Sequence, residues 1–328
     1  MPPRKNEHSY GRKAMVVGAS GFVGKHLSQR LGSTGWTLHG FDRDSASTSG
    51  FRTTTGDLFD RSFLARILTE LQPSVIFHLA GILKSNQPED LYRVHVLGTE
   101  ALCDAVLAAG IKPLIVIASS SAVYGAGHGS KPISEGFKPR PVTHYAISKL
   151  AQEMIALRYF QWSDLPVIIV RAFNIIGPGQ PASLACSAFA QQIAMAELHG
   201  NDFITVGDLS AQRDFVDVRD VASAYEKAAL FGRPGQIYNV CSGRAVSIRK
   251  CLEVLMKLTP RSLRVFPDPH RTQNLDVSVQ IGNAERFRKV SGWQPVVSLQ
   301  SALADLLNFW RQEVKHIERG KFDRTLEK

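Results

Sequence analysis

Hydrophobic and polar residues follow two kinds of pattern along the first half of the chain. Short, nearly continuous apolar runs at 14–17, 36–41, 74–79 and 114–118 are typical of strands that are buried on both faces. Between them, residues 25–31, 60–71 and 92–109 carry apolar positions at helical spacing. Because strands and helices alternate in this way, we predict an α/β fold built on a doubly wound parallel sheet.

The second half of the chain alternates less regularly. Its pattern predicts helices at 145–160, 184–198, 221–230, 248–258 and 299–314, and strands at 167–171, 203–206, 237–240 and 263–266. We expect the helix at 221–230 and the strand at 237–240 to return to the main sheet. The helix at 145–160 and the strand at 167–171 also belong to the main sheet, and the remaining segments after residue 172 then form a smaller α/β lobe that is discontinuous in sequence.

A glycine-rich turn, GASGFVG at 18–24, joins the first strand to the first helix. Glycines let a backbone approach a pyrophosphate closely, and a helix N-terminus offers free N–H groups. The spacing is Gly-x-x-Gly-x-x-Gly rather than Gly-x-Gly-x-x-Gly, but the strand–turn–helix context predicts a dinucleotide site.

The second strand ends at Asp42, which is followed by Arg43. A carboxylate there accepts from ribose hydroxyls and repels a 2′-phosphate, whereas an arginine would pair with that phosphate. We therefore expect NAD(H) or NADP(H) as cofactor, with a preference for NAD. Asp57, in the next turn, is a candidate acceptor for the adenine amino group; the alternative is a turn-capping residue.

Candidate catalytic residues lie in SSSAVYG at 119–125 and THYAISK at 143–149. Tyr145 and Lys149 are four residues apart and therefore share one helix face. A phenol has a pKa of about 10, which a nearby ammonium lowers, so the pair can move a proton on and off an alcohol oxygen. Ser120, at the end of a strand, can bind the same oxygen. The alternatives are an exposed helix face and a polar turn.

Composition narrows the classes of protein that fit. The net charge is +10, but the positive residues are scattered and no nucleic-acid motif is present, so a small anionic ligand is favoured over a polynucleotide. No apolar run approaches the length of a membrane span. The four cysteines show neither metal nor redox spacing, which predicts no metal site and reduced thiols in the cytoplasm. Residues 1–12 lack the apolar core of a secretory signal and are interpreted as a disordered leader.

Together these segments resemble the extended short-chain dehydrogenase/reductases, in the epimerase/dehydratase branch that modifies nucleotide sugars. The likeness spans about residues 13–312 and includes VRAFNIIGPGQ at 170–180, RDFVDVRD at 213–220, YNVCSG at 238–243 and SGWQP at 291–295. These later segments are most similar to GDP-4-keto-6-deoxy-D-mannose reductases and GDP-mannose dehydratases. The resemblance implies a Rossmann-type domain at 13–172, with 214–242 returning to its sheet. It also implies a substrate lobe from 173–213 and 243–312, followed by a frayed tail at 313–328.

The resemblance implies a role for each matching residue. Tyr145 donates a proton to the substrate oxygen, Lys149 lowers the pKa of Tyr145 and holds the nicotinamide ribose, and Ser120 binds the C4 oxygen. The expected cofactor contacts, besides Tyr145 and Lys149, are Gly18, Ser20, Gly21, Phe22, Val23, Gly24, Asp42, Arg43, Asp57, Leu58, Leu79, Ala80 and Gly81. The expected substrate contacts are Lys84, Ser121, Asn174, Arg213 and Arg271.

Some positions depart from the family pattern. The family usually has Asn where His95 stands, and an arginine that clamps the substrate diphosphate where Gln273 stands. Gln cannot make the charge-assisted contact, so Arg271 is the candidate replacement, beside Arg213.

The resemblance implies an NAD(P)H-dependent reductase of a nucleotide-linked 4-keto-6-deoxy sugar, expected to convert GDP-4-keto-6-deoxy-D-mannose to GDP-D-rhamnose. Dehydratases of the branch carry an acidic pair after the catalytic serine or threonine, and here Ser121 and Ala122 stand there. A 4-epimerase that retains NAD is the alternative, and a non-catalytic dinucleotide-binding protein is disfavoured by the intact catalytic set. Relatives pair through a four-helix bundle, so we expect a homodimer through the helices at 92–109 and 145–160.

Overall fold

A computed structural model describes residues 12–43, 51–126, 129, 131–268 and 277–326. Its main sheet has seven parallel strands in the order β10-β6-β5-β4-β1-β2-β3. These strands are β1 (Lys13–Val17), β2 (Thr37–Asp42), β3 (Arg52–Thr55), β4 (Val75–His78), β5 (Leu114–Ser120), β6 (Val167–Ala172) and β10 (Ile237–Val240). The order reverses between β1 and β4, as in a doubly wound α/β sheet, and the predicted fold class is confirmed.

Ten α-helices, with a π-helical turn and a 3₁₀ turn, are found in the described residues. They are α1 (Phe22–Ser33), α2 (Arg61–Leu71), α3 (Pro88–Tyr92), the π turn (Arg93–Leu97), α4 (Gly98–Ala108), the 3₁₀ turn (Ser121–Tyr124), α5 (His144–Ser163), α6 (Ala185–His199), α7 (Val218–Phe231), α8 (Ile248–Lys257), α9 (Glu285–Ser291) and α10 (Leu299–Leu326).

Helices cover both faces of the main sheet. Side chains of α1, α7 and α9 form one apolar core against it, including Leu31, Val221 and Phe287. Side chains of α2, α4 and α5 form the opposite core, including Leu64 and Val106. Because both faces are buried, the central strands carry the continuous apolar runs from which the sequence predicts them.

A smaller lobe stands beside the carboxyl ends of these strands. Its sheet is centred on β9 (Gln212–Asp217), which pairs with β7 (Asn174–Ile176), β11 (Ala245–Ser247) and β13 (Val279–Gln280). A second pair joins β8 (Phe203–Val206) to β12 (Arg264–Pro267), and α6, α8 and α10 enclose a third core around them. The lobe thus draws its parts from separate stretches of the chain, and we keep the division into domains as a proposal.

The structure adds elements that the pattern does not reveal. The edge strand β3 is polar, and β7, β11 and β13 have two or three residues each, too few to show a period. The predicted helix at 92–109 begins earlier, at Pro88, and contains the π turn. The last helix continues to Leu326, where the sequence predicts an end near residue 314 and a frayed tail. The leader expected at 1–12 falls almost wholly outside the described residues.

Candidate active site

A cleft of about 910 Å³ opens between the carboxyl edge of the main sheet and the smaller lobe. Most of the predicted site residues line it: Gly18, Gly21, Phe22, Val23, Gly24, Leu79, Gly81, Lys84, Ser120, Ser121, Tyr145, Lys149, Asn174 and Arg213. Ser20, Asp42, Arg43, Asp57, Leu58 and Ala80 do not line this cleft. Arg271 and Gln273 lie outside the described residues. The single cleft therefore brings together candidates from both lobes.

The glycine-rich turn can accept only glycine at two of its positions. Gly18 has a φ of +87°, and a Cβ there would lie 2.7 Å from the backbone nitrogen of Ala80. A Cβ on Gly24 would lie 2.1 Å from the carbonyl oxygen of Gly18. The turn is thus packed closely against the end of β4, and both the turn and the start of α1 line the cleft. This geometry fits a dinucleotide pyrophosphate.

Asp42 is joined to the glycine-rich turn. Its carboxylate accepts from the backbone nitrogen of Ser20 at 2.9 Å and from the Ser20 hydroxyl at 2.6 Å, and from the Arg43 backbone nitrogen at 2.8 Å. The carboxylate therefore stands at the end of β2 beside the turn, where it could meet an adenosine ribose. Asp57 accepts from the Phe59 backbone nitrogen at 2.9 Å, which is the geometry of the turn-capping alternative.

Ser120, Tyr145 and Lys149 all line the cleft. Thr143 caps the start of α5 by accepting from the Ala146 backbone nitrogen, so Tyr145 lies in the first turn. The Ser120 hydroxyl is a hydrogen-bonding neighbour that acts on the pKa of the Tyr145 phenol, and its oxygen accepts from the Ala122 backbone nitrogen at 3.2 Å. Burial raises the pKa of Tyr145, and the Ser120 hydrogen bond opposes that rise. This is opposite to the direction expected from the sequence, because desolvation outweighs the favourable interactions of the phenolate.

Lys149 is buried beneath Tyr145 and donates to two protein acceptors. Its ammonium lies 2.9 Å from the Ala118 carbonyl oxygen and 3.0 Å from Gln152 Oε1. Burial lowers the pKa of Lys149 to about 8, and the Glu153 carboxylate opposes this shift. An ammonium can donate three hydrogen bonds, so one N–H remains for a ligand.

His95, which replaces the family's usual asparagine, connects the cofactor side of the cleft to α5. Its Nε2 accepts from the Ile82 backbone nitrogen at 3.2 Å, and its Nδ1 lies 2.8 Å from the Ser148 hydroxyl. Ser148 donates its proton to the Tyr145 carbonyl oxygen at 2.9 Å, so it must accept from His95 Nδ1. Burial and the positive charge of Lys149 lower the pKa of His95 to about 2, so the ring is neutral.

Ser121 lies against Gln280 of the smaller lobe. The Ser121 hydroxyl donates to Gln280 Oε1 at 3.0 Å, and Gln280 Nε2 donates back to the Ser121 carbonyl oxygen at 3.0 Å. The predicted substrate contact Ser121 is therefore also a link between the lobes. Sequence reasoning misses Gln280 because the two residues are 159 positions apart.

Arg213 projects into the cleft from β9. Its guanidinium donates to the Gln212 carbonyl oxygen at 2.9 Å, and burial lowers its pKa. Asp214 and Asp217, the two acids that follow Arg213 on the same strand, bind other groups. Asp214 accepts from the backbone nitrogens of Ser242, Gly243 and Gly282, and Asp217 pairs with Arg219. Within the described part of the chain, no salt bridge joins Arg213 to a carboxylate.

Two other predicted substrate contacts, Asn174 and Lys84, also line the cleft. Asn174 donates to the Asp214 carbonyl oxygen at 3.1 Å, which holds it at the cleft beside β9. Lys84 is exposed at the rim. None of the cleft-lining residues that the structure describes is acidic, and Lys84, Lys149 and Arg213 are basic, so the cleft favours an anionic ligand.

Neither a metal centre nor a membrane-spanning helix is found among the described residues. They contain no group of three or more His, Cys, Asp and Glu side chains placed to hold a metal ion. None of their helices is long and apolar enough to cross a membrane. All four cysteines are free and buried.

Comparisons with known proteins place these features in context. The family model described as NAD dependent epimerase/dehydratase family matches residues 14–241. GDP-6-deoxy-D-mannose reductase of Pseudomonas aeruginosa is 33% identical over 317 residues, which cover 93% of this chain and 99% of that protein. UDP-glucose 4-epimerase of Mycolicibacterium smegmatis is 30% identical over 92% of this chain and 99% of that protein.

Solved structures share the fold over the same length. The structure of RMD from Pseudomonas aeruginosa complexed with NADPH superimposes with a TM-score of 0.83, at 32% identity, covering 92% of this chain and 100% of that chain. The similarity therefore extends through both lobes and across the cleft between them.

Proposed function

Because this chain belongs to the NAD-dependent epimerase/dehydratase family, we propose that it reduces the 4-keto group of a nucleotide-linked 4-keto-6-deoxy sugar. Its relatives are nucleotide-sugar reductases and epimerases, and the chain is an NAD(P)-dependent oxidoreductase of that family. The finer proposal is reduction of GDP-4-keto-6-deoxy-D-mannose to GDP-D-rhamnose. The 33% identity to a GDP-6-deoxy-D-mannose reductase supports the choice of sugar and base.

One observation carries the proposal. The same cleft holds Ser120, Tyr145 and Lys149 on one side and, on the other, the guanidinium of Arg213, which forms no salt bridge with a carboxylate of the described residues. A diphosphate carries two negative charges and needs such a cation in a partly closed site. The absence of acidic side chains among the described lining residues argues against the dehydratase, which needs a carboxylate to remove a proton from carbon.

The residues of the cleft divide the work. The glycine-rich turn, Asp42 and Lys149 would hold the dinucleotide, and its nicotinamide supplies the hydride. Tyr145, whose pKa is raised, keeps its proton at neutral pH and can donate it to the C4 oxygen. Ser120 lines the same cleft as Tyr145 and would bind the C4 oxygen. The Lys149 ammonium stabilises the phenolate that remains after the proton is donated.

The test follows absorbance of the reduced nicotinamide with purified protein and GDP-4-keto-6-deoxy-D-mannose, using NADH and NADPH in parallel. We expect the signal to fall in proportion to the sugar added. GDP-mannose, which has no ketone, is the matched control and should cause no loss. Loss with neither cofactor would contradict the proposed reaction, and the faster cofactor decides between Asp42 and Arg43 as the determinant of preference.

A nucleotide-sugar 4-epimerase is the second candidate, and Asp42 favours it. A carboxylate at the end of β2 suits NAD, the cofactor that an epimerase retains and regenerates. The similarity to a UDP-glucose 4-epimerase adds support. Purified protein that carries bound NAD and interconverts UDP-glucose and UDP-galactose without net nicotinamide consumption would favour this candidate over the reductase.

We also propose a homodimer through a four-helix bundle. Exposed apolar side chains on α5 support it: Ile147, Met154 and Trp162 are 40%, 62% and 84% exposed, and their spacing places them on one side of the helix.

A cytoplasmic location remains a proposal, supported by the four buried, free cysteines.

A further inference from the structure

A series of hydrogen-bonded, uncharged side chains extends from the Lys149 ammonium into the protein interior. Its ammonium donates to Gln152 Oε1 at 3.0 Å, and Gln152 Nε2 donates to Thr99 Oγ1 at 2.9 Å. Gln152 lies on α5 and Thr99 on α4, so this series of hydrogen bonds joins two helices. The signature residues Tyr145 and Lys149 do not include Gln152, and nothing in the spacing of the motif points to it.

Thr99, the last member of this hydrogen-bonded series, fixes the orientation of the Gln152 amide. The Thr99 hydroxyl has one proton, which it donates to the His95 carbonyl oxygen at 2.6 Å. It therefore accepts from Gln152 Nε2 and from His78 Nε2, which lies 2.9 Å away. Because Thr99 has no proton left for an acceptor, the amide nitrogen must face Thr99 and the amide oxygen must face Lys149.

The side chains of this hydrogen-bonded series are buried away from water. Gln152, Thr99 and His78 have no exposed area, and Lys149 is only 5% exposed. A hydrogen bond to an ammonium is stronger in such a setting than at the surface, and loss of the acceptor leaves the charge without its solvent or its partner.

The charged groups around Lys149 leave its positive charge largely uncompensated. Glu153, one turn further along α5, is bound by two nitrogens of Arg171 at 2.8 and 2.6 Å. Burial together with the Lys149 charge lowers the pKa of His78 to about 3, and His95 is likewise neutral. Gln152 supplies an acceptor without adding a negative charge.

We propose that Gln152 is a positioning residue, whose neutral amide holds the Lys149 ammonium at the cleft while leaving its charge and one N–H to the bound ligand. The inference deepens the proposed function, on which its kinetic part rests. A carboxylate at position 152 would neutralise the charge of the Lys149 ammonium, and an apolar side chain would leave the ammonium without this hydrogen-bond acceptor. The Gln152 amide accepts the hydrogen bond and leaves the charge unchanged.

The test compares Gln152→Met and Gln152→Glu. The pKa of Lys149 is measured by NMR on protein with ¹³C-labelled lysine, and its resonance is assigned from its loss in Lys149→Met. We expect Gln152→Met to lower the pKa of Lys149, because the cation loses an acceptor, and Gln152→Glu to raise it, because the cation gains a carboxylate. A purely structural role would lower stability in both variants without moving the pKa in opposite directions.

In the turnover assay, Gln152→Met should lower kcat/KM at neutral pH by roughly tenfold or more. The loss of activity at high pH should begin at lower pH in Gln152→Met and at higher pH in Gln152→Glu, since Lys149 acts as the cation. Gln192→Met is the matched control: this half-buried glutamine binds the Thr205 backbone in the smaller lobe and should leave both profiles unchanged.

The inference is overturned if the two Gln152 variants leave the pKa of Lys149 unchanged or move it in the same direction. Gln152→Glu keeps the shape of the side chain, so it preserves the test if Gln152→Met does not fold. The NMR comparison needs no sugar substrate. If the protein reduces no nucleotide sugar, the proposed function is refuted, but the NMR comparison still tests the role of Gln152.

Discussion

The two sides of the cleft hold their cationic side chains in opposite ways. On the main-sheet side of the cleft, Lys149 has two protein acceptors, and one of them, Gln152, is held in turn by the buried Thr99 of α4. On the smaller lobe, the one hydrogen bond that Arg213 donates within the described residues goes to the carbonyl oxygen of its own neighbour, Gln212. Protein contacts thus fix Lys149, the cation proposed to support proton transfer, whereas Arg213, the cation proposed to bind the diphosphate, keeps most of its donors free of the described residues.

This difference follows from what each side is proposed to do. Proton transfer requires the acid and its supporting charge to be held within a fraction of an ångström before the ligand arrives. Binding a flexible diphosphate requires donors that can turn toward it, and a guanidinium already paired with a carboxylate would have to release that partner first. Substitutions on the first side should therefore affect turnover or folding, and substitutions on the second should affect affinity.

The largest effect should come from Tyr145→Phe. Removing the phenolic proton donor should lower turnover about 10²–10⁴-fold while leaving dinucleotide affinity nearly unchanged. Turnover is measured by nicotinamide absorbance and affinity by fluorescence titration with NADPH and NADH. Tyr92→Phe is the matched control, since its hydroxyl binds His144 outside the cleft at 3.0 Å. Near-normal turnover in Tyr145→Phe would remove this tyrosine from the mechanism.

A large loss of stability should follow Arg171→Met on the same side. Arg171 and Glu153 are 3% and 1% exposed, and Glu153 also accepts from Ser119, the residue before Ser120. Breaking a buried pair leaves one charge without a partner and should lower the free energy of unfolding by about 3–5 kcal/mol. Urea denaturation measures it.

The control for Arg171→Met is Arg264→Met, which removes an ion pair with Asp202 whose side chains are 67% and 61% exposed. That change should cost at most about 1 kcal/mol. Equal losses in the two variants would contradict the view that the main-sheet side is held by its buried charges.

The smallest effect should come from the other side of the cleft. Arg213→Met should raise the KM for the nucleotide sugar by roughly 10–100-fold and leave kcat and dinucleotide affinity nearly unchanged, because the guanidinium binds the diphosphate in ground and transition states alike. Steady-state kinetics at several sugar concentrations measure it. Arg244→Met, which removes an exposed arginine that does not line the cleft, is the control. A fall in kcat without a change in KM would place Arg213 in the chemical step.

Much of the main sheet could be predicted from the sequence, because its strands are buried on both faces and its helices on one. The predicted strand at 237–240 has the same bounds in the structure, and the parallel direction of the strands follows from the alternation of strands and helices. The small-lobe strands around β9 could not be predicted. They have too few residues for a period, and each is stabilised by a neighbour that is distant in sequence.

The candidate site divides in the same way. The sequence by itself determined the glycine-rich turn and the pairing of Tyr145 with Lys149, because backbone sterics and the helical repeat are local and act at any place in a fold. Only the tertiary structure decided that Gln152 supports Lys149 and that Gln280 meets Ser121, since these contacts join elements far apart in the chain. It also decided the direction of the Tyr145 pKa. A motif names the neighbouring charge, but desolvation depends on everything that surrounds the phenol.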